Sequence, residues 1–126
     1  MCIRDRRYGD DEQKEEAAAA LRRLAMNADN KIPIAQAGGI PPLVALVRDG
    51  NDAQKASAAA ALWNLAANCA DNKIAIAKAG GIPPLVALIR DGNDAQKGNA
   101  AGALGTLAAS ADNKIAIEKA KREAGI

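Results

Sequence analysis

The chain contains no histidine and no phenylalanine, and only one tryptophan, Trp63, and one tyrosine, Tyr8. Lack of histidine removes the commonest general base and metal ligand. Lack of aromatics leaves Ala, Leu, Ile and Val to build the core. Such small side chains let helices approach toward the short end of the usual range of about 8–10 Å. The two cysteines, Cys2 and Cys69, have no paired spacing. They can build neither a zinc site nor a disulfide framework, so a reducing compartment is expected. The net charge is only +2, too weak a field for nucleic acid or an anionic membrane. Gly and Pro break every apolar run before the ~18 residues of a membrane span. The opening MCIRDRRYGDD lacks the apolar centre of a signal peptide.

Two short motifs are quickly excluded as chemistry. RDGND, at 48–52 and 90–94, lacks the alternating ligands and closing Glu of a calcium loop. Helix termination followed by capping explains it. AGGI is not followed by Gly-Lys-Ser/Thr and is no phosphate loop. The expectation is therefore a non-enzyme with no cofactor and no metal, without nucleic-acid or membrane partners. It is expected in the cytoplasm, with the nucleus as the alternative.

The sequence repeats itself. AGGIPPLVALVRDGNDAQK, residues 37–55, returns at 79–97 with Ile89 in place of Val47. The copy extends over 28–55 against 70–97, where only Pro33/Ala75, Gln36/Lys78 and Val47/Ile89 differ. ADNKIAI, at 70–76, returns at 111–117, so the period is 41–42 residues and Cys69 is one copy's extra residue. Repetition at such a period is the mark of a stacked array.

Punctuation predicts three helices in each period. The first starts near Asp71 and Asn72, read as a capping pair, and ends at Gly80 and Gly81, since Gly tolerates the positive φ past a helix end. The second starts at Pro83 and Pro84, because proline suits the first helical turn. It buries Leu85, Leu88 and Ile89 and stops at Gly92. The third starts at Asn93 and Asp94, with Gln96 at capping-box spacing, and runs to about Ala109. The first copy predicts the same plan at 30–37, 41–49 and 52–67. Ala and Leu are strong helix formers, so the fold class is all-α. The expected layout is a tail without fixed structure at 1–10 and a repeat domain at 11–126. Within that domain stand a third helix (11–27), two repeats (28–69 and 70–110) and a closing first helix (111–126). There KREAGI replaces Gly-Gly, so that helix can run on to Gly125.

GGIPPLVALVRDG, NDAQKASAAAALWNLAAN and ADNKIAIAKAGG together resemble the armadillo repeat, of the kind found in plant and protist proteins. The similarity covers about residues 10–120. HEAT and other helical-pair repeats are the alternative, disfavoured by the three-helix punctuation. The resemblance implies a right-handed α-solenoid of about two full three-helix repeats with partial repeats at each end. It also implies that the third helices line a concave groove that binds a protein or peptide.

Within the three third helices, Ala17/Ala58/Ala100, Leu21/Leu62/Leu104 and Leu24/Leu65/Leu107 are invariant at helical spacing and read as the packed face. The variable stripe includes Glu16/Ser57/Asn99, Ala19/Ala60/Gly102, Arg22/Trp63/Gly105 and Arg23/Asn64/Thr106. The peptide-groove candidates are Trp63, Asn64, Ser57, Ala60, Arg22, Arg23, Asn99 and Thr106. Asn64 matches the asparagine with which armadillo third helices hydrogen-bond a ligand's backbone. An amide suits that task because it offers both a donor and an acceptor. Arg23 and Thr106 stand at the equivalent positions, and Ala19, Ala60 and Gly102 replace the aromatic of importin-type repeats. This argues against importin-like binding of basic signals. Trp63 reads either as packing between third helices or as a binding hot spot. Arg22 and Arg23 read either as a solvated face beside Glu15 and Glu16 or as readers of acidic ligand groups.

A second function class is self-assembly. Each terminal helix lacks its repeat partners, so Ala18, Leu21, Leu24, Ile115 and Ile117 are expected to be partly exposed. Leu21, Leu24, Ile115 and Ile117 are the candidates for a homo-oligomer contact.

Overall fold

The computed structural model describes the backbone of residues 3–126 and the side chains of residues 13–126. The described residues form eight α-helices and no strand. They are α1 (Ile3–Leu24), α2 (Ala28–Gln36), α3 (Ile40–Asp49), α4 (Asp52–Ala66), α5 (Ala70–Lys78), α6 (Ile82–Asp91), α7 (Asp94–Leu107) and α8 (Ala111–Ala124). A tail over 1–10 and a third helix over 11–27 were expected; the backbone is instead one helix from Ile3 to Leu24, while the side chains of residues 1–12 lie outside the described residues.

The helix boundaries follow from local chemistry. Asn51 and Asn93 cap α4 and α7, and both form complete capping boxes with Gln54 and Gln96. In each, the Asn side chain accepts from the Gln backbone N–H, at 2.8 and 2.9 Å. The proline pairs lie in the first turns of α3 and α6. Before them, the two glycines have separate tasks. Gly38 and Gly80 adopt φ of +84° and +80°, the left-handed turn that ends α2 and α5. Gly39 and Gly81 allow a close approach, since a Cβ would lie 2.8 and 2.7 Å from Cγ2 of Ile34 and Ile76. The chain turns by 81° between α5 and α6 at this point.

The starts of the first helices differ from expectation. Asp71 and Asn72 do not cap α5; they lie inside its first turns, and Cys69 is the N-cap without a side-chain bond. Asn27 caps α2, its oxygen accepting from the Asp29 N–H at 2.9 Å. Asn72 is buried at 2% exposure and donates to the carbonyls of Lys31 (3.1 Å) and Leu65 (2.9 Å). An amide drawn to two buried carbonyls is unavailable as a cap.

Helices α1, α4 and α7 pack side by side as one layer, with α3 and α6 packed behind α4 and α7. Helix α4 contacts both layer neighbours and α3, so Ala58–Ala61, Leu62, Leu65 and Ala66 are all buried. Helix α8 lies mainly against α6. The core runs continuously from Ala18 and Ala25 through Leu43, Leu62 and Leu85 to Leu107 and Ile117. The result is an all-α solenoid of stacked three-helix units.

Asn72 links two repeats and closes its own. Removing its amide leaves two carbonyls without that donor, at a cost of about 1–3 kcal/mol. Asn72→Ala should lower stability by that amount in urea denaturation, and Asn30→Ala, whose one bond to Leu24 is exposed, by much less. Pro33 sits inside α2 where α5 carries Ala75. It deprives the Asp29 carbonyl of its helical donor. Pro33→Ala should therefore raise the melting temperature, by up to about 3 kcal/mol of stability.

Candidate functional site

The site is the outer face of α1, α4 and α7 near their C-terminal ends. Equivalent positions on neighbouring helices form rungs: Arg22 with Trp63 and Gly105, and Arg23 with Asn64 and Thr106. Among the described residues, Arg22 and Arg23 are exposed and form no ion pair. With Ala19 they line a cleft of about 220 Å³. Trp63 is 39% exposed, the largest open apolar side chain on this face.

Trp63 packs between third helices while remaining partly exposed. One face of the indole covers Gly102, where a Cβ would come within 2.6 Å of Cδ2 and Cε2. The rest of the ring is open. Gly105, one turn further along α7, has no atom within 4 Å of a would-be Cβ. The glycines of α7 thus act differently: Gly102 admits the ring, while Gly98 and Gly105 border open space.

The amides are already engaged within the protein. Asn64 Nδ2 donates to the Arg22 carbonyl at 2.9 Å, and Asn99 Nδ2 to the Ala56 carbonyl at 3.0 Å. Both bonds reach the preceding third helix in the same geometry. An amide has two N–H donors and an acceptor oxygen, so each keeps capacity for a ligand. The Thr106 hydroxyl donates to Gly102 O at 2.9 Å, leaving its oxygen lone pairs. Ser57 is half-buried, and Ala60 is buried at 6% exposure. Ala60 supplies floor rather than contact surface.

A further cation belongs to this end of the layer. Lys31 Nζ donates to the carbonyl of Ala67, the C-cap of α4, at 2.7 Å. Sequence reading missed it, because Lys31 lies on α2 and looks like one more solvated lysine. Packing of Trp63 between third helices was expected, but its partner Gly102 was not. Its signal is the compensation of sizes: the largest residue of one third helix faces a glycine in the next.

The terminal helices differ from expectation. Leu24 and Ile115 are open, at 50% and 66%, and Leu21 is partly buried. Ile117 and Ala18 are buried at 5% and 0%. Ile117 is covered because α8 lies on α6, where Arg90 Nη1 also donates to the Ala124 carbonyl at 3.1 Å. The same guanidinium pairs with Asp91, and its hydrogen bond holds that carboxyl below its ordinary range. Leu21 lies between two open apolar clefts of about 390 and 400 Å³. Among the described residues no group of side chains could hold a metal ion.

A family model, the Armadillo/beta-catenin-like repeat, matches residues 27–67 and again 69–109. The chain belongs to that family. Among solved structures it is similar to a crystal structure of computationally designed armadillo repeat proteins for modular peptide recognition. The match has 30% identity, a TM-score of 0.80, and covers 85% of this chain. The chain spans about half, 46%, of that designed protein. No curated protein matches the sequence.

The glycines of α7 separate into two groups by space. Gly98→Ala and Gly105→Ala should each stabilise the protein by about 0.5–1 kcal/mol, the helix-propensity difference. Gly102→Ala should lower the melting temperature, because the indole must move. Trp63→Leu in the Gly102→Ala background should recover part of the loss. Loss of stability at all three glycines would show that the spacing of α7 is governed otherwise.

Proposed function

We propose that the chain is a non-catalytic protein-interaction module that binds an extended peptide across the groove of α1, α4 and α7. The observation that carries this reading is Trp63, whose open indole stands between third helices that diverge where the rest of the repeat is nearly copied. Membership of the armadillo family supports it, as does the likeness to proteins designed for modular peptide recognition. Three helices about 8–10 Å apart make a groove of about 20 Å. At about 3.3 Å per residue it accommodates about six extended residues. The remaining N–H and oxygen of Asn64 and Asn99 hold the peptide backbone, and Trp63 supplies apolar contact. So short a contact predicts weak affinity, micromolar or poorer.

Trp63 is the sole tryptophan, so its fluorescence reports occupancy directly. A display selection with randomised octapeptides should enrich binders that shift the emission saturably. Trp63→Ala and Asn64→Ala, followed by calorimetry, should each weaken binding about tenfold or more. Binders that ignore both substitutions, or a selection that enriches nothing, would sink the reading.

A second reading is self-association through the terminal helices, alongside peptide binding. It is favoured by open Leu24 and Ile115 and by the clefts on either side of Leu21. A stable contact needs about 1,000 Å² of buried surface, and a closed symmetric dimer would avoid filament growth. Sedimentation should then show a dimer at micromolar concentration that Leu24→Glu or Ile115→Glu dissociates. A clean monomer well above that concentration would remove self-association and leave the groove reading intact.

A further inference from the structure

We infer that the groove is polar along its length and takes a peptide with an acidic residue over α1 and an apolar residue over α7. The inference rests on the peptide-groove reading and names the chemistry of its ligand. It starts from charge. Arg22 and Arg23 are exposed, without an ion pair among the described residues, at the C-terminal end of α1. Glu15 and Glu16 precede them by seven residues. At 1.5 Å rise per residue that is about 10 Å along the helix, beyond ion-pair reach. The third helices run in the same direction, so their negative dipole ends gather at this level, about half a charge each. At the end of α1 two guanidinium charges exceed that half charge. At the end of α4 the Lys31 ammonium sits on the Ala67 carbonyl at 2.7 Å. Asp29 and Asp71 lie in the first turns of α2 and α5, where the positive ends of those helices offset their charge. The C-terminal end of the α1–α4 part of the groove is therefore positive. A carboxylate is its complement, and guanidinium groups can bind one through paired, charge-assisted hydrogen bonds.

Beyond α4 the character changes. Helix α7 brings Gly102, Gly105 and Thr106 and no charge to the rungs. Gly105 borders open space one turn beyond Gly102, on which the 39%-exposed Trp63 lies. An apolar side chain of the peptide would rest there, against Trp63 and the glycine surface of α7. Helix α4 joins the two parts: Asn64 donates to Arg22 O, and Trp63 lies against Gly102. An extended peptide spanning from α1 to α7 places the acidic and apolar residues about four to six positions apart.

The test uses the full chain and a capped octapeptide with two glutamates at one end and a leucine five positions away. Its controls replace both glutamates by glutamine, or by lysine. Tryptophan fluorescence and calorimetry give the affinities at low and high salt. The acidic peptide should bind about tenfold or more tighter than the glutamine peptide, with the gap closing as salt rises. Arg22→Gln with Arg23→Gln should remove that gap without changing the circular dichroism. Gly105→Val should weaken the leucine peptide and leave its alanine counterpart unchanged. If the glutamine or lysine peptide binds as tightly as the acidic one, the inference falls and the peptide-groove reading stands. If randomised peptides of every charge fail to bind, both fall.

Discussion

The stacking of this protein depends on side-chain amides that donate to backbone carbonyls about one repeat earlier. Asn64 reaches Arg22, Asn72 reaches Lys31, Gln96 reaches Asp52, Asn99 reaches Ala56 and Asn113 reaches Lys73. The bonds span 40 to 44 residues in sequence. Their importance follows from the core they cross. Helices faced with alanine and leucine attract one another, but apolar attraction is non-directional. An alanine surface offers few deep knobs to oppose sliding. A buried amide is directional and costly to leave unmatched. Asn72, Gln96 and Asn113 are 2, 3 and 5% exposed. Among the described residues no buried side-chain polar atom is left without a partner. We regard burial as the source of cohesion and the amides as what fixes register.

This arrangement constrains what the outer face can offer. Asn64 and Asn99 do not stand free like the amides of a dedicated peptide ladder. Each gives one N–H to the preceding helix, so its orientation is fixed before any ligand arrives. That lowers the entropy of ordering on binding, while halving the donors available. The stacking bonds leave the side chains of Arg22 and Arg23 unused, and Trp63 keeps 39% exposure beside them.

Much of the fold was legible in the sequence because its signals are local. Gly38 and Gly39, Pro41 and Pro42, and the Asn51–Gln54 capping box act within a few residues of themselves, and the duplicated text shows each of them twice. The first-helix starts were misread for the same reason. Asn72 looks like a local cap, yet its partners lie 7 and 41 residues away. Position in a repeat does not reveal whether an amide acts within its own turn or on its neighbour. The site was legible only as a stripe. Comparing third helices isolated Trp63, Asn64, Arg22 and Arg23. It could not show that Ala60 is buried, that Lys31 closes α4, or that Gly102 is shaped to Trp63. Those facts depend on the spacing between helices, which no single helix encodes.

The two ends of the stack reveal how repeat identity is broken. Ile34 and Ile76 occupy the same place in successive copies, yet Ile76 is fully buried and Ile34 only partly. Pro33/Ala75 and Gln36/Lys78 are the nearby differences in sequence, and Ile76 also has a preceding repeat beside it. Helix α8 differs from α5 through its own sequence. Without Gly-Gly after Ala120 it continues for another turn, packs on α6 and brings Ala120 and Ala124 to the core. Helix α1 leaves Leu24 open and the clefts around Leu21 unfilled. A few substitutions therefore suffice to differentiate copied helices. Exchanging Gly-Gly for KREAGI lengthens a first helix so that it lies along α6. Placing Arg, Trp and Gly at one position of three third helices gives an otherwise repeated face three different chemistries.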